Sequence, residues 1–492
     1  MRSITDADPA PDGSSFPPPR RSSRQFEPLD LLMLVMTFAA CLWVIDPIYD
    51  VNDVFWHILL GDQMRSGTPF AELGSTFSYS VQNPDWRTGA WLSEYLMSWL
   101  YDLGGWTLLI NVIRLGSIAG VSFVFWRHLV RRWPSRAVLL PYLLSMAALA
   151  LTVQERPQSV SYVFIALTGV WWFHSVMDNR PPHWFLVGLT AALWANLHGL
   201  WVVLPSVLAL AFVGRLLNNG FSDSLRTPMA TAFLASIVGG CLTPLGLSGL
   251  LLAARVQDSA TNLISEWEPT TLAGWPGYLL LIAGALALYL LGRVPGTSRA
   301  EVLFVVTVGA FGLAAQRNVS PALLLIAPLL TSLIVRALGI RAQVEVSTRE
   351  RTRLMVTASV LAVVGVLATG LTIGFREQSP PEWLPITLAS RLAEEPGQVR
   401  LLNEYNMSGV ALFYGGDALQ VGADGRADYY GSEFLTRYHD AVSKGRDTLA
   451  LAEELQPTHA LIAKDSPSAT ILQADGWTVM ESGEDYTLLV AP

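Results

Sequence analysis

Apolar stretches too long for a small soluble core recur along most of this chain, and they confine it to folds that sit in a bilayer. A helix needs about 20 apolar residues to cross the hydrocarbon, where every backbone group must be satisfied within the segment. Eleven such segments are expected, near 29–45, 106–126, 137–153, 159–176, 184–196, 200–216, 229–242, 278–291, 302–315, 321–335 and 354–373. Composition agrees, with 51% of the 492 residues hydrophobic, 15% charged and a mean hydropathy of +0.39. The expected fold class is an α-helical polytopic membrane protein of about 11 transmembrane helices. Both cysteines, Cys41 and Cys241, fall inside expected spans, which argues against a disulfide framework or a cysteine metal site.

Arginine sets the orientation. With the amino terminus in the cytoplasm, the amino-terminal tail and the even-numbered connections carry most of the arginines, among them Arg127, Arg131, Arg132, Arg136 and those from Arg336 to Arg353. The opposite short loops carry five: Arg65, Arg87, Arg156, Arg255 and Arg317. This asymmetry follows the positive-inside rule, and with eleven spans it also puts the carboxyl terminus outside. Residues 1–26, rich in Pro, Ser, Asp and Arg, are expected as a disordered cytoplasmic tail. Residues 27–375 form the expected membrane domain, with a first extracytoplasmic loop at 46–104, and 376–492 an extracytoplasmic α/β domain. That last part has 8 Lys+Arg against 18 Asp+Glu, a net −10 where the whole chain is −8. An acidic exported domain disfavours nucleic acid as a partner. Its short apolar runs at 399–402, 419–421, 460–462 and 487–490 predict strands, and 432–443 and 448–455 predict helices.

Between the first two spans, 50–94 is polar, aromatic and acidic, with Asp50, Asp53, Asp85, Glu94, His57 and three tryptophans among turn residues. Such groups are costly near lipid unless they meet a polar ligand or line a wet cavity. Interfacial helices are expected at 54–64, ended by Gly67-Thr-Pro69, and at 91–103. Further polar insertions face the same side: Gln154-Glu-Arg-Pro-Gln158, Asn196-Leu-His-Gly199, Ser265-Glu-Trp-Glu-Pro269 and Gln316-Arg-Asn318. A site built from several discontinuous elements is therefore expected outside. Plainer readings stand beside this one. Asp50 and Asp85 can be helix caps or solvated charges, His57 and His198 loop hydrogen-bonders, Arg156 a snorkelling side chain, and the tryptophans an interfacial belt. Gly116-Ser-Ile-Ala-Gly120 reads as close helix packing.

Asp53-Val-Phe-Trp-His57, with Gly61, Gly67, Pro69, Phe77-Ser-Tyr79, Trp86 and Trp91-Leu-Ser-Glu94, resembles the first-loop signature of bacterial multispanning proteins of the type C glycosyltransferase superfamily. Arg156-Pro-Gln158, Trp194-Ala-Asn-Leu-His-Gly199 and Arg317-Asn318 are similar to its later motifs. Asn403-Glu-Tyr405, Gly415-Gly416 and Asp424-Gly-Arg426 are similar to those of its tail. Val51 stands where a second acid is common, Ser75-Thr76 and Gly89-Ala90 replace two more expected polar positions, and Asp50 is the nearest substitute.

The resemblance implies transfer of a sugar from a polyprenyl-phosphate-linked donor to a glycan, lipid or protein acceptor of the cell envelope, at the outer face of the plasma membrane. It implies Asp53 and Glu94 as catalytic residues, with Asp53 as the base. Asp50, His57, Trp86, Arg156, Gln158, Asn196, His198, Arg317 and Asn318 are implied as substrate-binding residues, with Trp56 and Trp91 offered to the sugar or the interface. The chemistry needs these types: a carboxylate to take the acceptor proton, cations and N–H donors for the leaving phosphate, aromatic faces for sugar. No particular cofactor is assigned, and a divalent metal is compatible with the acids. A non-catalytic protein that binds glycan or polyprenyl lipid is the alternative. A lipid-linked sugar transporter is a third reading, for which Arg114 in the second span is the main support.

Overall fold

The computed structural model describes residues 28–43, 53–251, 265–340, 380–381 and 383–492, with Thr352 and Val356 isolated. The tail 1–26, Asp50 and, apart from Val356, the eleventh expected span at 354–373 lie outside the described residues. Before residue 340 the chain forms α1 (Pro28–Trp43), α2 (Asp53–Arg65), α3 (Trp91–Phe125), α4 (Ser135–Thr152), α5 (Pro157–Met177), α6 (Trp184–Leu197), α7 (Val203–Asn219), α8 (Arg226–Gly240), α9 (Trp275–Arg293), α10 (Arg299–Ala314) and α11 (Val319–Ala337).

Helices thus occupy ten of the eleven expected span positions. Six helical runs are long and apolar enough to cross a membrane: Trp91–Val130, Ser135–Thr152, Pro157–Met177, Gly199–Ser222, Trp275–Arg293 and Gln316–Ala337. Leu29–Cys41 and Trp184–Leu197 are shorter apolar helices. The count of eleven is therefore not carried over: α8 and α10, for instance, have 15 and 16 residues, short of the roughly 20 that reach across. The protein is a helical membrane protein. Its central helix is α11, buried along nearly its whole length against α4, α5, α9 and α10.

The two helices of the first loop lie where the sequence places them. α2 packs on the start of α3 so closely that a Cβ at Gly61 would lie 2.2 Å from the Glu94 carbonyl, which is why this position is glycine. α3 breaks at Gly104–Gly105, where Gly105 has φ 57, and the break divides the interfacial part from the spanning part. Of the two glycines expected in close packing, Gly120 meets Val163 of α5, whereas Gly116 faces open space.

Arg114, deep in α3, does not stand alone in the bundle. It pairs with Glu155, whose Oε2 accepts from Nε at 2.7 Å and from Nη2, and both side chains are buried, 1% and 0% exposed. A transporter reading based on Arg114 loses its support, since the charge is neutralised by a structural partner. The connections assigned to the cytoplasm hold a different set of ion pairs, Arg132–Asp178, Arg215–Asp223 and Arg336–Glu301.

After residue 383 the chain becomes a small α/β unit. Its elements are α12 (Ile386–Leu392), β1 (Val399–Asn403), α13 (Ser408–Tyr414), β2 (Leu419–Val421), α14 (Ala427–Tyr430), α15 (Ser432–Lys444), α16 (Thr448–Leu455), β3 (His459–Ala463), α17 (Pro467–Ala474), β4 (Thr478–Ser482) and β5 (Tyr486–Val490). The sheet order is β2-β1-β3-β5-β4, parallel from β2 to β3 and antiparallel from β3 to β4. β4 is the strand the sequence does not announce; it is an edge strand with mostly exposed side chains and so lacks an apolar pattern.

This unit has its own core of residues such as Leu402, Tyr438, Ile462 and Leu489, but it is not detached from the membrane domain. Leu384, Ala389, Met407 and Val410 share a second cluster with Val54, Phe55 and Ile58 of α2 and Trp106 of α3. The first loop also covers the free edge of β2. Val421 N donates to Phe77 O at 2.8 Å and Tyr79 N donates to Val421 O at 3.3 Å. The tail and the first loop are thereby held as one wall over the end of the bundle.

Candidate functional site

A cavity of about 200 Å³ opens where that wall meets the bundle. Its lining comes from α2, the 86–94 segment, the turn before α5, the α6–α7 connection, the 265–267 segment, the turn before α11 and tail residues 425–428. Among the expected residues, Asp53, His57, Trp86, Glu94, Arg156, Gln158, His198 and Arg317 are brought to it.

Asp53 opens α2, where the helix dipole favours a negative charge. Its Oδ1 accepts from Trp56 Nε1 at 3.2 Å, one turn on, and its Oδ2 stands 3.3 Å from Arg156 Nε. Burial, the largest cause, pushes Asp53 up to about 6, and Glu266 adds to it against the opposite pull of His57, Trp56 and Arg317. A carboxylate poised there takes a proton readily near neutral pH.

Arg156 is aimed by its turn. The residue before Pro157 is extended, with φ −120 and ψ 154, as the proline ring requires. Consecutive side chains in extended backbone point to opposite sides, so Glu155 goes inward to Arg114 and Arg156 goes to the cavity. Ser159 Oγ closes the turn by donating to Gln154 O at 2.5 Å and accepting from Gln154 N at 3.1 Å.

Arg317 arrives from the turn before α11. Its Nη2 donates to Gln158 Oε1, and its guanidinium lies 4.1 Å above the Trp267 ring. The 265–270 segment is tied alongside, since Gln316 N donates to Glu268 O at 3.0 Å and Thr270 N to Leu313 O at 3.0 Å. This brings in Glu266, which the sequence reading did not single out. Its Oε1 lies 3.0 Å from Arg156 Nη1 and 3.6 Å from Arg317 Nη1. Burial raises the Glu266 carboxyl, but the two arginines outweigh it and hold the group below the usual carboxylate range.

Glu94 sits behind His57 and has no exposed surface. Its Oε1 is 3.0 Å from His57 Nδ1 and accepts from Thr88 Oγ1 at 2.7 Å. That geometry suits a group that orients the His57 ring, which also lies against Trp56. His198 Nδ1 accepts from Leu200 N at 3.3 Å, so its proton is on Nε2, and burial lowers it to about 3, helped by Arg317 and His57. His198 is therefore a neutral donor and not a cation for phosphate.

Three expected residues are not at the cavity. Asn196 accepts from Trp91 Nε1 at 2.6 Å and donates to Ala192 O and Leu242 O, so it and Trp91 clamp the start of α3 to the ends of α6 and α8. Asn318 donates to Phe311 O at 3.0 Å and closes the α10–α11 connection. Backbone carbonyls accept both amide N–H groups of Asn196 and one from Asn318, which ties both side chains into their turns. Trp86 is at the cavity but also belongs to a stack around Arg426, with Phe77 and Tyr429. Arg426 is fully paired: Nε and Nη2 donate to Asp424 at 2.8 and 2.6 Å, and Nη1 donates to Gly74 O at 2.9 Å. Beside it, Asp428 lines the cavity from the tail, its carboxyl raised by burial.

Among the described residues no three His, Cys, Asp or Glu side chains group as a metal site would need. In the cavity Asp53 and Glu266 are held by Arg156 and Arg317, and this donor set does not fit a divalent ion.

No protein-family model and no curated protein matches the sequence. Among solved structures the fold is similar to ArnT from Cupriavidus metallidurans in its apo state, at 11% identity and a TM-score of 0.53 over 94% of this chain and 96% of that one. A likeness to the arabinofuranosyltransferase AftD from Mycobacteria, at 12% identity and a TM-score of 0.46, covers 96% of this chain but 40% of that one and adds nothing to the assignment. The chain shares the fold of the ArnT structure and is built as a helical membrane domain with a small carboxyl-terminal sheet domain.

Proposed function

We propose that this protein is a membrane glycosyltransferase that moves a sugar from a polyprenyl-phosphate-linked donor to a cell-envelope acceptor, at the extracytoplasmic face of the plasma membrane. One observation carries the reading: two guanidinium groups from separate turns, Arg156 and Arg317, converge on a single carboxylate oxygen of Glu266 next to Asp53. Phosphate and carboxylate oxygens recruit the same charge-assisted partners, so Glu266 occupies the seat that a donor phosphate takes on binding. The fold likeness to ArnT supports the same class of chemistry.

In this scheme the acceptor hydroxyl gives its proton to the Asp53 carboxylate as its oxygen attacks the anomeric carbon. The bond from that carbon to the phosphate oxygen breaks, and the electron pair leaves on the polyprenyl phosphate. A single displacement of this kind inverts the anomeric centre. Arg156 and Arg317 balance the phosphate charge, and His198 Nε2–H adds a neutral donor. Trp56 and Trp86 offer faces to the sugar or lipid, and membrane lipid surrounds the polyprenyl chain. The acceptor is a glycan, lipid or protein of the envelope.

The test is transfer from a polyprenyl-phosphate sugar by the purified protein in lipid nanodiscs. Arg156→Ala and Arg317→Ala are each expected to raise the donor KM and to lower kcat, since the phosphate is charged in ground and transition states alike. Transfer with wild-type KM by both variants would remove the proposed donor site.

A further inference from the structure

A second cavity, of about 140 Å³, lies in the tail between the turn after β1 and one face of α15. Glu404, Tyr405 and Asn406 line one side, and Tyr438, His439 and Ser443 the other. Tyr438 OH is taken up by Asn403, through backbone and amide atoms at 2.9 to 3.2 Å, and its buried ring forms the floor of the cavity.

Several polar groups here are not used by the fold. Glu404 Oε1 accepts from Ala463 N at 3.1 Å, and its Oε2 takes no hydrogen bond among the described residues. Asn406 is exposed and its amide is likewise unengaged there. His439 Nδ1 is 3.4 Å from Ser443 Oγ, and Nε2 is left over. The lining contains no lysine or arginine, which argues against an anion. It contains one carboxylate, too few for a hard divalent cation. Its polarity does not suit an acyl chain. What it does suit is a neutral ligand rich in hydroxyls, with a carboxylate, an amide and an imidazole to bridge neighbouring hydroxyls.

The two cavities are neighbours in the tail: Asn403, just before Glu404 and Tyr405, donates to Ala423 O at 2.8 Å, and residues 425–428 that follow line the first cavity.

We propose that the tail cavity is a subsite for a neutral saccharide, and that it holds the glycan acceptor beside the transfer cavity. The acceptor role rests on the transferase reading; saccharide binding does not, and the two are measured separately.

The experiment uses the full chain in lipid nanodiscs and a panel of neutral sugars: glucose, galactose, mannose, arabinose, N-acetylglucosamine and their disaccharides. Binding is read by saturation-transfer NMR and calorimetry. At least one panel member is expected to bind, with Kd raised tenfold or more by Glu404→Gln, which keeps the bond to Ala463 N, and by His439→Ala. Asp53→Asn is expected to bind it as the wild type does. Melting curves matching the wild type certify that the two tail variants are folded. The proposal is overturned if no panel sugar binds, if binding ignores both tail changes, or if Asp53→Asn abolishes it. A protein that transfers sugar but binds no panel saccharide refutes the subsite alone. One that binds a panel saccharide at this cavity but transfers from no donor supports the subsite and refutes the transferase.

Discussion

Glu155→Gln is the most informative single change in the bundle, because it keeps shape and removes one charge of a buried pair. Arg114 is 1% exposed and Glu155 0%, and the carboxylate takes both Nε and Nη2 of the guanidinium. Removing the carboxylate charge breaks a buried ion pair, a loss of about 3–5 kcal/mol. Removing both charges together, Arg114→Met with Glu155→Gln, is expected to cost less than the two single changes added, with a coupling of about 1–3 kcal/mol. Glu155 also adjoins Arg156, so the single variant should loosen the turn that aims Arg156 and raise the donor KM. The assay is melting of the detergent-solubilised protein followed by tryptophan fluorescence, for the wild type, both singles and the double. Wild-type melting by Glu155→Gln, or strictly additive losses, would refute the argument that this pair fixes the turn.

Two other predictions concern the cavity and its wall. Because Asp53 is pushed up to about 6, kcat/KM for the donor should rise with pH to a plateau above that value and fall about tenfold per pH unit below it. A pH–rate profile flat across that range would contradict the base assignment. The same shift acts on stability with the opposite benefit: the folded state favours protonated Asp53, a contribution present below about pH 4 and lost as pH rises through about 6. Asp53→Asn should therefore melt above the wild type at neutral pH, with the gap closing in acid. Gly74 has φ +68, and a Cβ there would lie 2.3 Å from Arg426 Nη1, so Gly74→Ala should loosen the seam between first loop and tail. Limited proteolysis of the tail checks it, and unchanged cleavage would count against that seam.

Much of this site is written in local patterns. Asp53, Trp56 and His57 lie within one turn or so of the same short helix, Arg156 is fixed by the proline that follows it, and both were legible as motifs. Gly61 was legible as part of a signature, and its reason is the contact with the Glu94 carbonyl. What was not legible depends on partners far along the chain. Glu266 is one acid in a polar loop until Arg156 and Arg317 are seen to meet on it. Asn196 and Asn318 have the right chemistry for a ligand, but neighbouring carbonyls claim their amides. The count of eleven spans is not confirmed, since segments such as that of α8 are short of a full crossing, and β4 escaped because an edge strand needs no apolar face.

The most direct measurement is sugar transfer from a polyprenyl-phosphate donor by purified wild type and Asp53→Asn, with donor binding measured on both. Asparagine keeps the size of the side chain and one acceptor oxygen for Trp56 or Arg156, but it carries no charge and accepts no proton at neutral pH. Transfer should fall by about 10²-fold or more while donor binding is retained. Transfer at the wild-type rate by Asp53→Asn would contradict the assignment of Asp53 as the base.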